Sequence, residues 1–339
     1  MSTFIKLRGH AMSVALALLV IGTVCETVSA QAISVRERWS TKGSPGTLEF
    51  GSIDGMSEAA NGSIWISDIT SRVVATVNAR GGGLRVVAEE GDGPGEVRGP
   101  SRLASLPSGE IGVYDMIRSA VDVFGPDGLF RKRIALPVVV FNPKGFAVLR
   151  SGDFILSGGI QSRPGAIHQF APDGKLRRSW GPPSTARNSK AATMIAGGPV
   201  HPLPDGSILF SQSAPHWIAV YAPLGQRTQA LAANPSLAPT IGDRFVQERN
   251  GRRIFDWNYP KSAGVFRLND GRIVNVVQNA RENVTTWEVY RSDGKLIGRA
   301  RVARVYQPWG MTRDGDVLAS YVDPDTEEAV ASRLTLTIR

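Results

Sequence analysis

The sequence predicts an all-β chain: a six-bladed β-propeller of four-stranded antiparallel blades, closed by pairing of its N- and C-terminal strands. Three observations predict it. A glycine-centred turn followed by an alternating strand occurs six times, a second turn follows most of these strands about 20 residues later, and each end of the chain carries a strand lacking a local partner. Four-stranded units repeating at about 45 residues are the sequence signature of blades arranged radially.

The six first turns are Asn61-Gly62, Ser108-Gly109, Ser151-Gly152, Asp205-Gly206, Asp270-Gly271 and Asp314-Gly315. Each supplies a glycine where a tight hairpin demands positive φ. In the strands that follow, apolar residues sit two apart, as in Ile64/Ile66, Ile111/Val113, Phe154/Leu156 and Ile208/Phe210. That period marks strands with one face against a neighbouring layer. The second turns are Gly125-Pro126-Asp127-Gly128, Ala171-Pro172-Asp173-Gly174, Ala222-Pro223-Leu224-Gly225 and Arg291-Ser292-Asp293-Gly294, with Gly81-Gly82-Gly83 as a degenerate version in the first repeat. A strand precedes each, so every repeat reads as hairpins joined in series. One such sheet leaves edges and faces open, so the units must stack.

The last repeat ends at Arg333–Ile338 without a fourth strand, and the orphan strand Ile33–Trp39 is available to complete it. Between Leu231 and Lys261, about thirty residues replace the few used elsewhere, an insertion at about 232–260. Asn250-Gly251 inside it suits a two-residue hairpin, and a short helix capped at Gly251 fits nearly as well.

The segment Gly91-Asp92-Gly93-Pro94-Gly95-Glu96-Val97-Arg98-Gly99-Pro100 resembles the inter-blade element of the NHL-like bacterial six-bladed propellers, and Asp115–Gly128 echoes a second element of that group. The family asparagine is lost, and Arg72 is the clear counterpart of the family arginine. The resemblance implies architecture across nearly the whole mature chain. Relatives of the fold include binding scaffolds, lactonases, lyases and receptor ectodomains, so it implies no activity.

Residues 1–30 read as a secretory signal peptide: Lys6 and Arg8, an apolar run from Ala11 to Val24, and Val28-Ser29-Ala30 as the cleavage site. The expected location is therefore periplasmic or extracellular, with membrane contact only if that segment stays uncleaved. Val24 before Cys25 does not suit a lipobox, and cleavage after Ala30 removes the single cysteine. The formal charge of +9 becomes +8 in the mature domain. This favours anionic partners, a small anionic molecule, a glycan or a protein. The basic residues form no run or stripe, which points away from nucleic acid.

No nucleophile elbow and no zinc-binding His-Glu-x-x-His occur. The glycines from Gly91 to Gly95 precede no helix with Lys-Ser/Thr, so they form a connecting loop and not a phosphate loop. Asp68 and Arg72 are expected to pair across a turn. Asp323-x-Asp325-x-Glu327 reads as a solvated turn, without the glycine of a calcium loop. His201 opens an inner strand where side chains can face the central channel, and His216 ends a loop on the same side. Inner-strand positions offer Asp54, Glu58 and Asn142, but also Arg102, Lys144 and Lys261, which would repel a cation. The candidate ligand-binding residues are Arg102, Lys144, His201, His216 and Lys261 at one mouth of the channel. The insertion is expected to overhang them with Arg252, Arg253, Trp257 and Tyr259. Arginine with aromatic groups suits anionic or sugar-like ligands.

The expectation is an exported binding or interaction module with no cofactor or metal. The alternative is a metal-dependent lactonase- or lyase-like enzyme holding Ca²⁺ in the channel, where clustered acidic groups would mark the site. A third reading is a structural envelope component that uses its outer faces.

Overall fold

The structure, a computed structural model, describes residues 32–42, 48–161, 163–182, 193–212, 216–233, 246–249, 252–255 and 260–339, with backbone alone at 232–233, 246–249 and 252–255. Six four-stranded antiparallel sheets form a six-bladed β-propeller, and an additional two-stranded hairpin lies between the fourth and fifth blades in the chain.

Blade one comprises β2 (Ile53–Glu58), β3 (Ile64–Asp68), β4 (Val73–Val77) and β5 (Arg85–Ala88). Blade two comprises β6 (Pro100–Ser105), β7 (Ile111–Asp115), β8 (Ala120–Phe124) and β9 (Phe130–Ala135). Blade three has β10 (Phe141–Val148), β11 (Phe154–Gly159), β12 (Ile167–Phe170) and β13 (Leu176–Trp180). Blade four has β14 (Val200–Pro202), β15 (Ile208–Gln212), β16 (Trp217–Tyr221) and β17 (Arg227–Ala233). The inserted hairpin is β18 (Val246–Arg249) with β19 (Arg252–Phe255). Blade five has β20 (Lys261–Arg267), β21 (Ile273–Asn279), β22 (Val284–Tyr290) and β23 (Leu296–Val302). Blade six is built from β24 (Gln307–Met311), β25 (Val317–Val322), β26 (Ala329–Ile338) and, on its outer edge, β1 (Ile33–Ser40).

The first strand of each blade is innermost, and these six strands pack around the ring from β2 through β24 and back to β2. The second and third strands are buried on both faces, whereas the outer strands alternate between covered and exposed residues. All six first-turn glycines have positive φ, from 82° at Gly62 to 88° at Gly109, the conformation that selects glycine there. Between blades the core is filled by large side chains: Trp65, Tyr114, Phe124, Phe154, Phe210 and Trp287 are each 1 % exposed or less.

Ring closure follows the expected pairing of chain ends. β1 runs antiparallel to β26 from Ile33 opposite Ile338 to Ser40 opposite Ser332. Asp316, nearly buried, ties the seam together by accepting from Arg38, Arg333 and Thr335.

The pairing of Asp68 with Arg72 does not form. Asp68 accepts backbone N–H groups from Gly51, Ser52, Thr70 and Ser71, fastening the β3–β4 turn to the segment that enters the blade. Arg72 pairs instead with Glu90. A carboxylate at the end of a second strand satisfies otherwise orphaned donors, and Asp115 repeats the device on Arg98, Gly99 and Arg118. Asp323 is also not solvated: it is 1 % exposed and pairs with Lys42.

Candidate functional site

Five of the six inner strands carry a β-bulge near the same end. The register slips between Ile53 and Gly55, Pro100 and Arg102, Phe141 and Gly145, Ser262 and Gly264, and Pro308 and Gly310. An extra residue at a bulge bends the strand and re-aims a side chain. Here the bulged residues Asp54, Ser101, Asn142, Pro143, Lys144 and Ala263 line one cavity of about 570 Å³ at that end of the channel. Met116, Phe141, Met194, Pro199 and Gln307 complete its wall, with Arg102, Lys261 and Ser262. Glycines beside the bulges let the inner strands approach. A Cβ on Gly55 would lie 2.9 Å from both the Ser101 carbonyl oxygen and the Leu103 nitrogen.

Arg102 and Lys144 form the floor. Both also line the small space of about 30 Å³ beneath, among Met56, Leu103, Phe146, Val200 and Phe266, where apolar side chains close the channel. The Arg102 guanidinium, from blade two, reaches three other blades. Its Nε donates to the Pro143 carbonyl at 2.7 Å, Nη1 donates to the Asp54 carbonyl at 2.8 Å, and the group lies 4.6 Å from the centre of the Trp309 ring. Lys144 Nζ donates to the Ile195 carbonyl at 2.6 Å. Lys261 is the first residue of β20, and its side chain makes no hydrogen bond or ion pair among the described residues.

The electrostatics follow from this crowding. Burial first, then the neighbouring charges of Lys261 and Arg102, bring the Lys144 amine down to about 7. Burial also lowers Lys261. Asp54 is the sole carboxylate in the lining among the described residues, and burial raises it above the ordinary carboxylate range against the pull of Arg102. Three basic side chains therefore face one carboxyl group. That donor set does not fit a calcium ion, which needs six to eight oxygens with several carboxylates among them. Among the described residues, no group of three or more His, Cys, Asp or Glu side chains is placed to hold a metal.

Of the candidate residues, Arg102, Lys144 and Lys261 meet in the cavity. His201 does not line it. Its neighbour Val200 faces the channel, so alternation along β14 turns His201 to the blade interface, edge-on to Phe266 at 6.2 Å between ring centres. Burial and Arg267 bring His201 down to about 4.

His216 is also interior, 3 % exposed, and belongs to a polar network between blades four and five. Asn275 donates to His216 Nε2 at 2.8 Å and to Glu288 at 3.1 Å, which places the His216 proton on Nδ1. Tyr290 and Arg299 complete Glu288, and Ser211 and Ser262 both donate to the Asn275 carbonyl oxygen. Ser262 thereby links this network to the cavity wall. Burial lowers His216.

Arg252 and Arg253 occupy β19 opposite Arg249 and Glu248, and Lys261, the first residue of β20, stands on the cavity wall. Trp257 and Tyr259 lie outside the described residues.

Trp309, Phe141, Met116, Gln307 and Ser262 were not among the candidates. Trp309 had a usable signal, an aromatic residue in an inner strand directly before Gly310, the glycine of the bulge. Met116 is brought in by a β7–β8 turn that no inner-strand register would place.

No family model matches the chain, and neither does any curated protein. Solved structures do match. A Bacteroides fragilis protein titled "Putative exported protein" aligns with a TM-score of 0.59 at 10 % identity, covering 92 % of this chain and 96 % of its own. The aldose sugar dehydrogenase of Streptomyces coelicolor, solved with bound PQQ, aligns with a TM-score of 0.55 at 12 % identity over 90 % and 99 % of the two chains. Virginiamycin B lyase from Staphylococcus aureus aligns with a TM-score of 0.54 at 14 % identity over 90 % and 100 %. These likenesses show the fold alone. A binding protein and an enzyme sit equally well among such neighbours. No helix of the described residues is long and apolar enough to cross a membrane.

Proposed function

We propose that this chain is an exported, NHL-like propeller that binds a small anionic molecule, such as an acidic or phosphorylated sugar, in the basic mouth of its channel. The observation that carries this reading is the convergence of Arg102, Lys144 and Lys261 on one cavity whose described lining holds a single carboxylate. A volume of about 570 Å³ is in the range of small-molecule sites, and charge focused by low-dielectric walls favours anions. Among the described residues the Lys261 side chain has no hydrogen-bond or ion-pair partner, which suits it to meet a ligand oxygen. The signal-like segment at residues 1–30 supports export, and the charge of +8 on the mature domain supports an anionic partner. The alternative, a lactonase- or lyase-like reaction assisted by calcium, calls for several carboxylates, of which the described lining holds Asp54.

The test is calorimetry of the mature protein against a panel of sugar phosphates, uronic acids and small dicarboxylates at low and high salt. Lys261→Glu, at a side chain without a hydrogen-bond or ion-pair partner among the described residues, is expected to weaken the best ligand at least tenfold, and salt to weaken it in the wild type. Equal affinity of wild type and variant, or no anion bound at millimolar concentration, overturns the reading.

A further inference from the structure

The cavity contains two amines with different surroundings. Among the described residues, the Lys261 side chain has no hydrogen-bond or ion-pair partner, while Lys144 is fixed by one hydrogen bond to the Ile195 carbonyl and faces no carboxylate within ion-pair distance. Lysines elsewhere are arranged otherwise: Lys42 pairs with Asp323, Lys175 pairs with Asp173, and Lys132 and Lys295 are exposed. We propose that the ε-amine of Lys144 is a covalent attachment point, forming an imine with a small anionic carbonyl compound of the α-oxo acid class whose carboxylate sits on Lys261. This rests on the reading of the mouth as an anion site and names the substrate class for it.

The step balances without a redox partner. The Nζ lone pair attacks the carbonyl carbon, and the carbonyl oxygen leaves as water with the two amine hydrogens. What remains is one C=N bond between ligand and protein. An amine must be neutral to attack, and a lysine surrounded by like charge in a desolvated site meets that requirement. The titratable groups of the lining are Arg102 on β6, Lys261 on β20 and Asp54 on β2, besides Lys144 itself. Burial first, then the like charges of Lys261 and Arg102, bring the Lys144 amine down to about 7, so far more of it is neutral at pH 7 than of an exposed lysine. An ordinary exposed lysine is neutral at only about 0.03 % there. Asp54, raised by burial against the pull of Arg102, is a carboxyl group in the lining of the same cavity.

The experiment incubates the native mature protein with glyoxylate and cyanoborohydride at pH 7 and maps carboxymethylated lysines by peptide mass spectrometry. Lys144 is expected to react at least tenfold faster than Lys42, Lys132, Lys175 and Lys295. Propanal, which has the carbonyl without the charge, should show less preference for Lys144. Modification of Lys144 no faster than the exposed lysines overturns the proposal. Mapping within the unaltered chain needs no variant to fold, and Lys144→Arg serves as a second check by removing the adduct peptide. Glycolate, a carboxylate without the carbonyl, separates the two readings. Binding of glycolate with no adduct at Lys144 overturns imine formation alone, and failure of both overturns the anion site with it.

Discussion

Replacing Arg102 by Met tests whether the charge on the floor of the cavity is also a structural clamp. The substitution removes donors from the carbonyls of Asp54 and Pro143, and the cation stacked on Trp309. Hydrogen bonds from a charged donor contribute about 1.5–3 kcal/mol each, and a desolvated cation–π contact about 2 kcal/mol. Against that gross loss stands the relief of desolvating a guanidinium without a carboxylate partner, a cost large enough to push Arg102 below its usual range. The balance is a loss of about 2–4 kcal/mol, of the size seen when one partner of a buried charged contact is removed. For about 300 folded residues the unfolding entropy makes 1 kcal/mol worth roughly 1.6 °C, so Tm should fall by about 3–6 °C. Differential scanning calorimetry, with urea titration alongside, reads this directly. Lys at the same position keeps the charge but not the fork, so it should recover less than half of the loss. A Met variant as stable as the wild type, or more so, refutes the clamp: desolvation would then outweigh the three contacts.

Other consequences can be measured with the same protein. Gly55→Ala places a Cβ against backbone atoms of β6 that cannot move aside, and should cost about 2–4 kcal/mol in urea unfolding. His168 is buried, accepts from Ser179 at Nδ1 and donates from Nε2 to the Gly158 carbonyl, and burial lowers it to about 4. Because the unfolded chain takes up that proton near pH 6.5, stability should be full above that pH and fall toward pH 4, by on the order of 3 kcal/mol. Comparing the pH dependence of Tm for wild type and His168→Gln checks it, with a shallower decline expected in the variant. EDTA followed by excess Ca²⁺ should leave Tm unchanged within about 1 °C, whereas occupancy at a thousandfold excess over Kd would add about 4 kcal/mol. A large calcium-specific rise would revive the metal-dependent enzyme.

The architecture was legible because it rests on local, repeated signals. Gly62 and its five counterparts each need positive φ, and alternation in strands such as Ile64–Asp68 follows directly from a two-residue period. The unpaired strand Ile33–Trp39 identified ring closure because blade six lacked a partner for Arg333–Ile338. The cavity was half legible. Arg102, Lys144 and Lys261 sit on inner strands at equivalent places, so counting along the repeats brought them together. His201 failed because a period of two is unforgiving: one position beyond Val200 turns the ring from the channel to the blade interface. The bulges were also hidden, since a slipped register leaves no residue-type signal beyond a nearby glycine, and they determine which side chains line the wall. Asp68 misled for a related reason: its partners are backbone N–H groups, which no residue pattern displays.

The seam of blade six has a mechanical consequence. Ala32 and Arg339 exchange both backbone hydrogen bonds, so the described chain begins and finishes side by side at one extremity of the β1–β26 ladder. Tension applied to those two points would load the rungs one after another and peel β1 away like a zipper. Tension between Ser40 and Arg339 would load the rungs together, and should need a much greater force. The same proximity means that a short peptide joining Ala32 to Arg339, with a new opening cut at an exposed first turn such as Gly315, should return the same ring with its seam made continuous.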